Sequence, residues 1–190
     1  MIPFTPQPWP EVPIVAYLPP WPLERVAQAI AAGEAAIPEA ATLVRGYELA
    51  TKRKTTISWL STSEHVNQPY FMAIANDVLK VNADKWQFDL WGFIDSLQYT
   101  VYHEGDEFGW HVDCGPKLPP RKLSVSVQLS DPSEYEGGDL QLRVAEEIET
   151  APRAQGTVCI FPSFISHRVT PVTKGVRRAL VAWVAGPAFR

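Results

Sequence analysis

The spacing of hydrophobic positions changes character near residue 86, and the change separates two kinds of local structure. Upstream, Val26, Ala29 and Ile30 fall on one face of the segment Leu23 to Ala32. This predicts a short helix opened by Pro22 and closed near Gly33. Residues 42–50 and 54–60 read as strands. A longer helix is predicted from about Val66 to Val81, because Phe71, Ile74, Val78 and Val81 recur at helical spacing. Downstream of Trp86, the segments 88–103, 108–113, 122–130, 138–144, 156–161, 167–172 and 177–185 are rich in Val, Leu, Phe, Tyr and Trp, and Gly, Pro and Asp separate them. Many short strands at near-regular spacing predict an antiparallel barrel or sandwich. The first twenty-two residues hold eight prolines. Fixed φ and missing N–H groups exclude regular helix or central strand there; an extended arm packed on the domain is expected, with a ligand for a proline-binding module as the alternative.

Composition narrows the class. At 190 residues, 46% hydrophobic and 20% charged, the chain suits one globular domain able to bury its own core. A net charge of -4 offers no general attraction to nucleic acid or an anionic membrane. The basic run Lys52-Arg53-Lys54 reads as a solvated loop or strand edge. Cys114 and Cys159 form no disulfide framework, and no secretory leader or membrane span is visible, so a cytoplasmic setting is expected.

The chemistry concentrates in the β-rich half. In His111-Val112-Asp113, strand alternation sends the imidazole and the carboxylate to one side and Val112 to the other. His167, opening a later strand, is the candidate third ligand. Two His and one carboxylate on one face leave coordination positions open, as non-haem iron(II) oxygenases require, although zinc would accept the same donors. Arg177 follows across the turn Thr173-Lys174-Gly175. Its guanidinium is a fixed positive fork suited to a carboxylate. Alternation sends Arg178 the other way, and we take Arg177 as the inward one. Tyr99, Tyr102, Phe108, Trp110 and Trp183 give the expected pocket an aromatic character. Asp139 and Arg143 are candidates for substrate contact at its mouth, with a surface role as the alternative.

At these residues the sequence resembles the Fe(II)/2-oxoglutarate-dependent dioxygenase superfamily, in its prolyl 4-hydroxylase-like branch. The resemblance covers about residues 86–187. It rests on Gln98-Tyr99-Thr100-Val101-Tyr102, Trp110-His111-Val112-Asp113, Tyr135-Glu136-Gly137-Gly138-Asp139-Leu140, Phe161-Pro162-Ser163 and the run from His167 to Arg177. It implies a mainly β, α+β fold: a double-stranded β-helix (a jelly roll, cupin-like) over residues 86–190, braced by helices and strands within residues 1–85 of a single domain spanning 1–190. It also implies Fe(II), 2-oxoglutarate and O₂, with ascorbate as an auxiliary reductant, and Tyr102 as a hydrogen-bond donor to the keto acid. Trp183, six positions past Arg177, would line the same pocket. The expected reaction is hydroxylation of a C–H bond, on a prolyl residue of a peptide or protein. A free amino acid or small metabolite is the alternative substrate. A zinc-dependent or non-catalytic β-roll is the alternative class.

Overall fold

The computed structural model of the chain describes residues 14–41, 53–115 and 120–188. The strand expected at 42–50, the first thirteen residues of the proline-rich arm, and Pro116 and Pro119 of the loop after Asp113 lie outside the described residues. Fifteen strands and two α-helices are present among those described. The strands are β1 (Ala16–Leu18), β2 (Glu39–Ala40), β3 (Arg53–Lys54), β4 (Thr56–Leu60), β5 (Gly92–Phe93), β6 (Leu97–Tyr102), β7 (Glu107–His111) and β8 (Arg121–Gln128), followed by β9 (Tyr135–Gly137), β10 (Leu140–Val144), β11 (Glu147–Thr150), β12 (Val158–Pro162), β13 (His167–Val169), β14 (Val172–Gly175) and β15 (Arg177–Ala185). The helices are α1 (Leu23–Ala35) and α2 (Gln68–Lys85).

The strands form a jelly roll. The major sheet runs β1-β12-β8-β15-β6-β4-β2, with β5 paired to the end of β15, and the minor sheet runs β11-β10-β13-β7-β3. All pairings are antiparallel, and β9 and β14 form a separate ribbon. The described part of the proline-rich arm, residues 14–22, keeps to the margin of the sheet, where proline is tolerated: β1 is an edge strand on β12.

Three central strands of the major sheet carry a strict two-residue alternation, and it decides where the site lies. Leu97 and Tyr99 of β6, Leu123, Val125 and Val127 of β8, and Leu180, Ala182 and Val184 of β15 turn to the helical side. There they pack on Val26 and Ala29 of α1 and on Phe71, Ile74, Val78 and Val81 of α2. Each buried Val, Leu, Ile or Phe among them contributes about 1.5–3 kcal/mol when removed from water. The intervening residues Gln98, Thr100 and Tyr102, Ser124 and Ser126, and Arg177, Ala179, Val181 and Trp183 face the minor sheet and line a cavity. The second apolar cluster, including Tyr102, Leu140, Leu142, Phe161, Val169 and Val172, closes the space between the sheets.

Several elements depart from the expectation. Helix α1 does not close at Gly33 but runs to Ala35, and Gly33 is buried within it. The residue is glycine because Tyr99 lies on it: a methyl group there would fall inside the Tyr99 ring. The stretch expected as one strand from 88 becomes regular only at Leu97, the strand expected to reach Asp113 ends at His111, and β11 was not foreseen. Thr173-Lys174-Gly175 is not a free turn: Val172–Gly175 pairs with β9, and Gly175 ends that strand with a φ of +75°, which glycine adopts readily. No helix among the described residues is long and apolar enough to cross a membrane.

An exposed helical glycine gains stability on replacement by a residue with a side chain, by about 0.5–1 kcal/mol for alanine. Here the sign reverses. Gly33→Val should destabilise by about 2–3 kcal/mol through overpacking against Tyr99, measured as a lowered urea midpoint at unchanged m-value.

Candidate active site

His111 and His167 meet because β7 and β13 pair with these two residues directly opposite each other. The register then slips: Val169 faces Phe108, so β7 holds one residue more than β13 between the two pairs. This bulge turns Phe108 and His111, three apart, to the same face, which uninterrupted alternation would forbid. Their rings stack with centroids 3.6 Å apart. Phe161 abuts His167 edge-on at 4.8 Å. The two imidazole centroids are 4.1 Å apart.

Asp113 lies just past the end of β7. Its N–H donates to the Ser163 carbonyl at 2.9 Å. Ser124 Oγ, from β8, donates to Asp113 Oδ2 at 2.7 Å and contacts Ser163 Oγ at 2.9 Å. The carboxylate is thereby aimed at both imidazoles: Oδ1 is 3.7 Å from His111 Nε2, and Oδ2 is 3.5 Å from His167 Nε2. Each His places Nδ1 on a backbone carbonyl, Gly109 O at 2.8 Å and Ile165 O at 3.0 Å. A carbonyl can only accept, so Nδ1 carries a proton, and Nε2 is the ring atom left to face a cation. One donor atom from each residue falls within 4.8 Å of the others.

The electrostatics favour the same state. Burial, then the nearby His167 imidazole, push the His111 pKa down, outweighing the attraction of Asp113. Burial alone would raise the Asp113 pKa, but the two imidazoles, Ser124 and the Trp183 indole bring it below the ordinary carboxylate range. The indole N–H closes no hydrogen bond, although it points at Asp113. At neutral pH, His111 is neutral and Asp113 ionised, the forms in which both ligate a cation.

This cluster opens into a cavity of about 430 Å³ between the sheets. Arg177 is 3% exposed and lines it. It pairs in register with Tyr102, and its guanidinium carbon is 5.5 Å from the Tyr102 ring centroid. No described residue forms an ion pair with it. Arg178 points outward to Glu34, 3.0 Å away. Burial raises the Tyr102 pKa against the opposing pull of Arg177 and Arg53, so the phenol keeps its proton. Trp183 lines the cavity under the guanidinium of Arg121, which sits 3.9 Å above its ring centroid.

Four residues expected at the pocket or its mouth, Tyr99, Trp110, Asp139 and Arg143, do not line the cavity. Tyr99 is three positions from Tyr102 on an unbroken strand, so it faces the helices and is buried on Gly33. Arg143 is on the outer face of the minor sheet, where it and Arg168 lie 4.7 and 4.8 Å from the Trp110 ring. Asp139 pairs with Arg153 at 3.1 Å. Two further residues take places that their loop and edge positions do not indicate. Asp106 is a buried latch that accepts from the His103 N–H and pairs with Lys54 at 2.9 Å. Arg53 is not a solvated edge residue: β3 pairs with β7, Arg53 falls opposite Phe108, and its side chain enters the cavity. A short basic run gives no sign of this. Ser124, by contrast, was legible from alternation along β8.

Comparison with known proteins agrees with the geometry. Among solved structures, a Pseudomonas putida prolyl-4-hydroxylase superposes with TM-score 0.70 at 19% identity, covering 92% of this chain and 94% of that one. A Trichoplax adhaerens prolyl hydroxylase in complex with a hypoxia inducible factor oxygen degradation domain peptide gives TM-score 0.71 at 16% identity, over 91% and 84%. These likenesses establish the jelly-roll fold. Residues 97–185, the segment that carries all three clustered ligand candidates, match the family model of the 2OG-Fe(II) oxygenase superfamily. A PKHD-type hydroxylase of Cupriavidus metallidurans is 40% identical over 93 residues, 45% of this chain and 41% of that protein. One from Teredinibacter turnerae is 34% identical over 93 residues, 46% and 41%. The match therefore spans about two fifths of the length of these relatives.

Two outcomes follow. Ser124→Ala leaves Asp113 free to rotate and should weaken Mn(II) or anaerobic Fe(II) binding by about 10–100-fold, read by titration calorimetry. The depressed His111 pKa means that the unfolded chain takes up a proton near pH 6.5 which the folded chain refuses. Metal-free protein should therefore lose stability as pH falls below about 6.5, by up to about 1.4 kcal/mol per pH unit for this group. The slope of urea stability against pH should be shallower in His111→Gln.

Proposed function

We propose that the protein is an Fe(II)- and 2-oxoglutarate-dependent oxygenase that hydroxylates a prolyl residue of a peptide or protein. One observation carries the proposal: a buried His111/Asp113/His167 cluster shares a cavity with a buried arginine, Arg177, that has no ion-pair partner among the described residues. The donor set fits iron(II). Two neutral nitrogens and one carboxylate present their free atoms from one side, which leaves positions for a bidentate keto acid and O₂. Bound there, iron would couple oxidative decarboxylation of 2-oxoglutarate, giving succinate and CO₂, to insertion of an oxygen atom into a substrate C–H bond.

The chain's own residues do the rest. Arg177 grips the far carboxylate of 2-oxoglutarate through charge-assisted hydrogen bonds. Tyr102, kept protonated by burial, donates a hydrogen bond beside it. Ala179 and Val181 on β15 present an apolar wall between Arg177 and Trp183 that keeps water from the reacting carbon. The prolyl substrate is inferred from the prolyl hydroxylases among the solved neighbours and from the PKHD-type hydroxylases. Ascorbate would serve as an auxiliary reductant.

The test is turnover with Fe(II), 2-oxoglutarate, ascorbate and a panel of proline-containing peptides. Succinate should form in proportion to hydroxylated proline, and failure of the protein to bind 2-oxoglutarate in the presence of metal overturns the proposal. Arg177→Ala should weaken 2-oxoglutarate binding by about 10–100-fold, the loss of a charged hydrogen-bonded pair, with metal affinity retained. Arg177→Lys should recover part of it.

A further inference from the structure

Three arginines line the cavity, and they differ in what faces them. Arg177 is assigned above to the cosubstrate. Arg121 is already paired: its Nη2 and Nε donate to Asp95 Oδ2 at 2.7 and 3.2 Å. Arg53 has no such acid. Its Nη2 donates to the neutral amide of Gln98 at 2.9 Å, its guanidinium lies 4.5 Å over the Phe108 ring, and its Nε is buried with no partner. No described residue forms an ion pair with it. Glu39, the other acid lining the cavity beside Asp113, is exposed and accepts from the Trp59 indole at 2.6 Å. Burial is the main influence on Arg53, and it disfavours the charged form.

Charge balance across the loaded site sharpens this. A divalent metal is matched by the doubly charged keto acid, Asp113 offsets Arg177, and Asp95 offsets Arg121. Arg53 is left unmatched in a half-buried setting, where an unpaired cation is costly. Its position also suits a substrate contact. The guanidinium lies on Phe108, and Phe108 stacks on His111, so it is two stacked layers from the metal-binding imidazole and opens into the same cavity.

We propose that Arg53 receives a carboxylate carried by the substrate close to the hydroxylated carbon, so that the enzyme selects acidic substrates over neutral ones. The proposal rests on the oxygenase reading above. The carboxylate comes either from an acidic side chain next to the target proline or from the carboxyl terminus of the peptide. Both present the planar, bidentate acceptor that a guanidinium fork matches.

The experiment uses the full chain loaded with Mn(II) and N-oxalylglycine and measures peptide binding by calorimetry. The probes are N-acetyl-Pro-Glu-amide against N-acetyl-Pro-Gln-amide, and N-acetyl-Pro-Ala with a free carboxyl terminus against its amide. At least one acidic member should bind about tenfold more tightly than its neutral partner, and the pair that responds identifies the source of the carboxylate. Arg53→Gln should reduce that preference to less than about twofold while 2-oxoglutarate binding to the Mn(II) protein is kept. Arg53→Lys should retain part of the preference. Equal binding within both pairs, or a preference that survives in Arg53→Gln, overturns the proposal. So does a loss in Arg53→Gln of 2-oxoglutarate affinity rather than of peptide preference, since Arg53 would then serve the cosubstrate. A wild-type protein that does not bind 2-oxoglutarate with Mn(II) instead removes the oxygenase reading and this inference with it.

Discussion

The pairing of β7 with β13 sets two histidines face to face across a sheet, and every other feature of the site is arranged around that register. A slip of one residue would turn one imidazole to the outer surface. The register is held from both sides: β10 pairs with β13 at Leu142 opposite His167, and the bulge in β7 places Phe108 as a flat support under His111. The carbonyls of Gly109 and Ile165, each two residues before its histidine, fix which nitrogen faces the cavity. Asp113 owes its aim to the other sheet, through Ser124 on β8. The cluster therefore joins the two sheets.

The major sheet shows how one alternation can serve two purposes. Its helix-facing residues are aliphatic and closely packed, and they hold α1 and α2. Its cavity-facing residues are mostly polar or aromatic, and donors around the cavity stay unspent: the Trp183 indole N–H on this sheet and the Arg53 Nε on the minor sheet are both buried without a partner. Buried polar groups are normally satisfied within a fold. A cavity with surplus donors and surplus positive charge is built to complement acceptors and anions, which describes a keto diacid and, on our inference, an acidic substrate. The rigidity needed to aim these groups comes from the packed helical side.

Much of this was legible in the sequence, because two-residue alternation carries information about facing. His111 with Asp113, Arg177 with Trp183, and the outward Arg178 all follow from it. Tyr99 fails by the same rule, since it cannot share a face with Tyr102 on an unbroken strand. Its aromatic character belongs to the core beside Gly33. What alternation cannot supply is long-range pairing and bulges. Phe108 reaches the face of His111 only through the bulge. Arg53 enters the cavity only because β3 is added to the minor sheet opposite Phe108, and nothing in Lys52-Arg53-Lys54 indicates a partner strand. Gly33 looked like a helix stop because close approach by a distant ring leaves no local trace.

The central claim is that one cation is held by side chains from β7, β13 and the turn after His111, with a diacid gripped next to it. A crystal structure of the protein with Mn(II) and N-oxalylglycine tests this directly. The account predicts a single ion bonded to His111 Nε2, an Asp113 oxygen and His167 Nε2, with the far carboxylate of N-oxalylglycine on the Arg177 guanidinium. An ion that engages only one of the two histidines, or a ligand carboxylate that avoids Arg177, would contradict it.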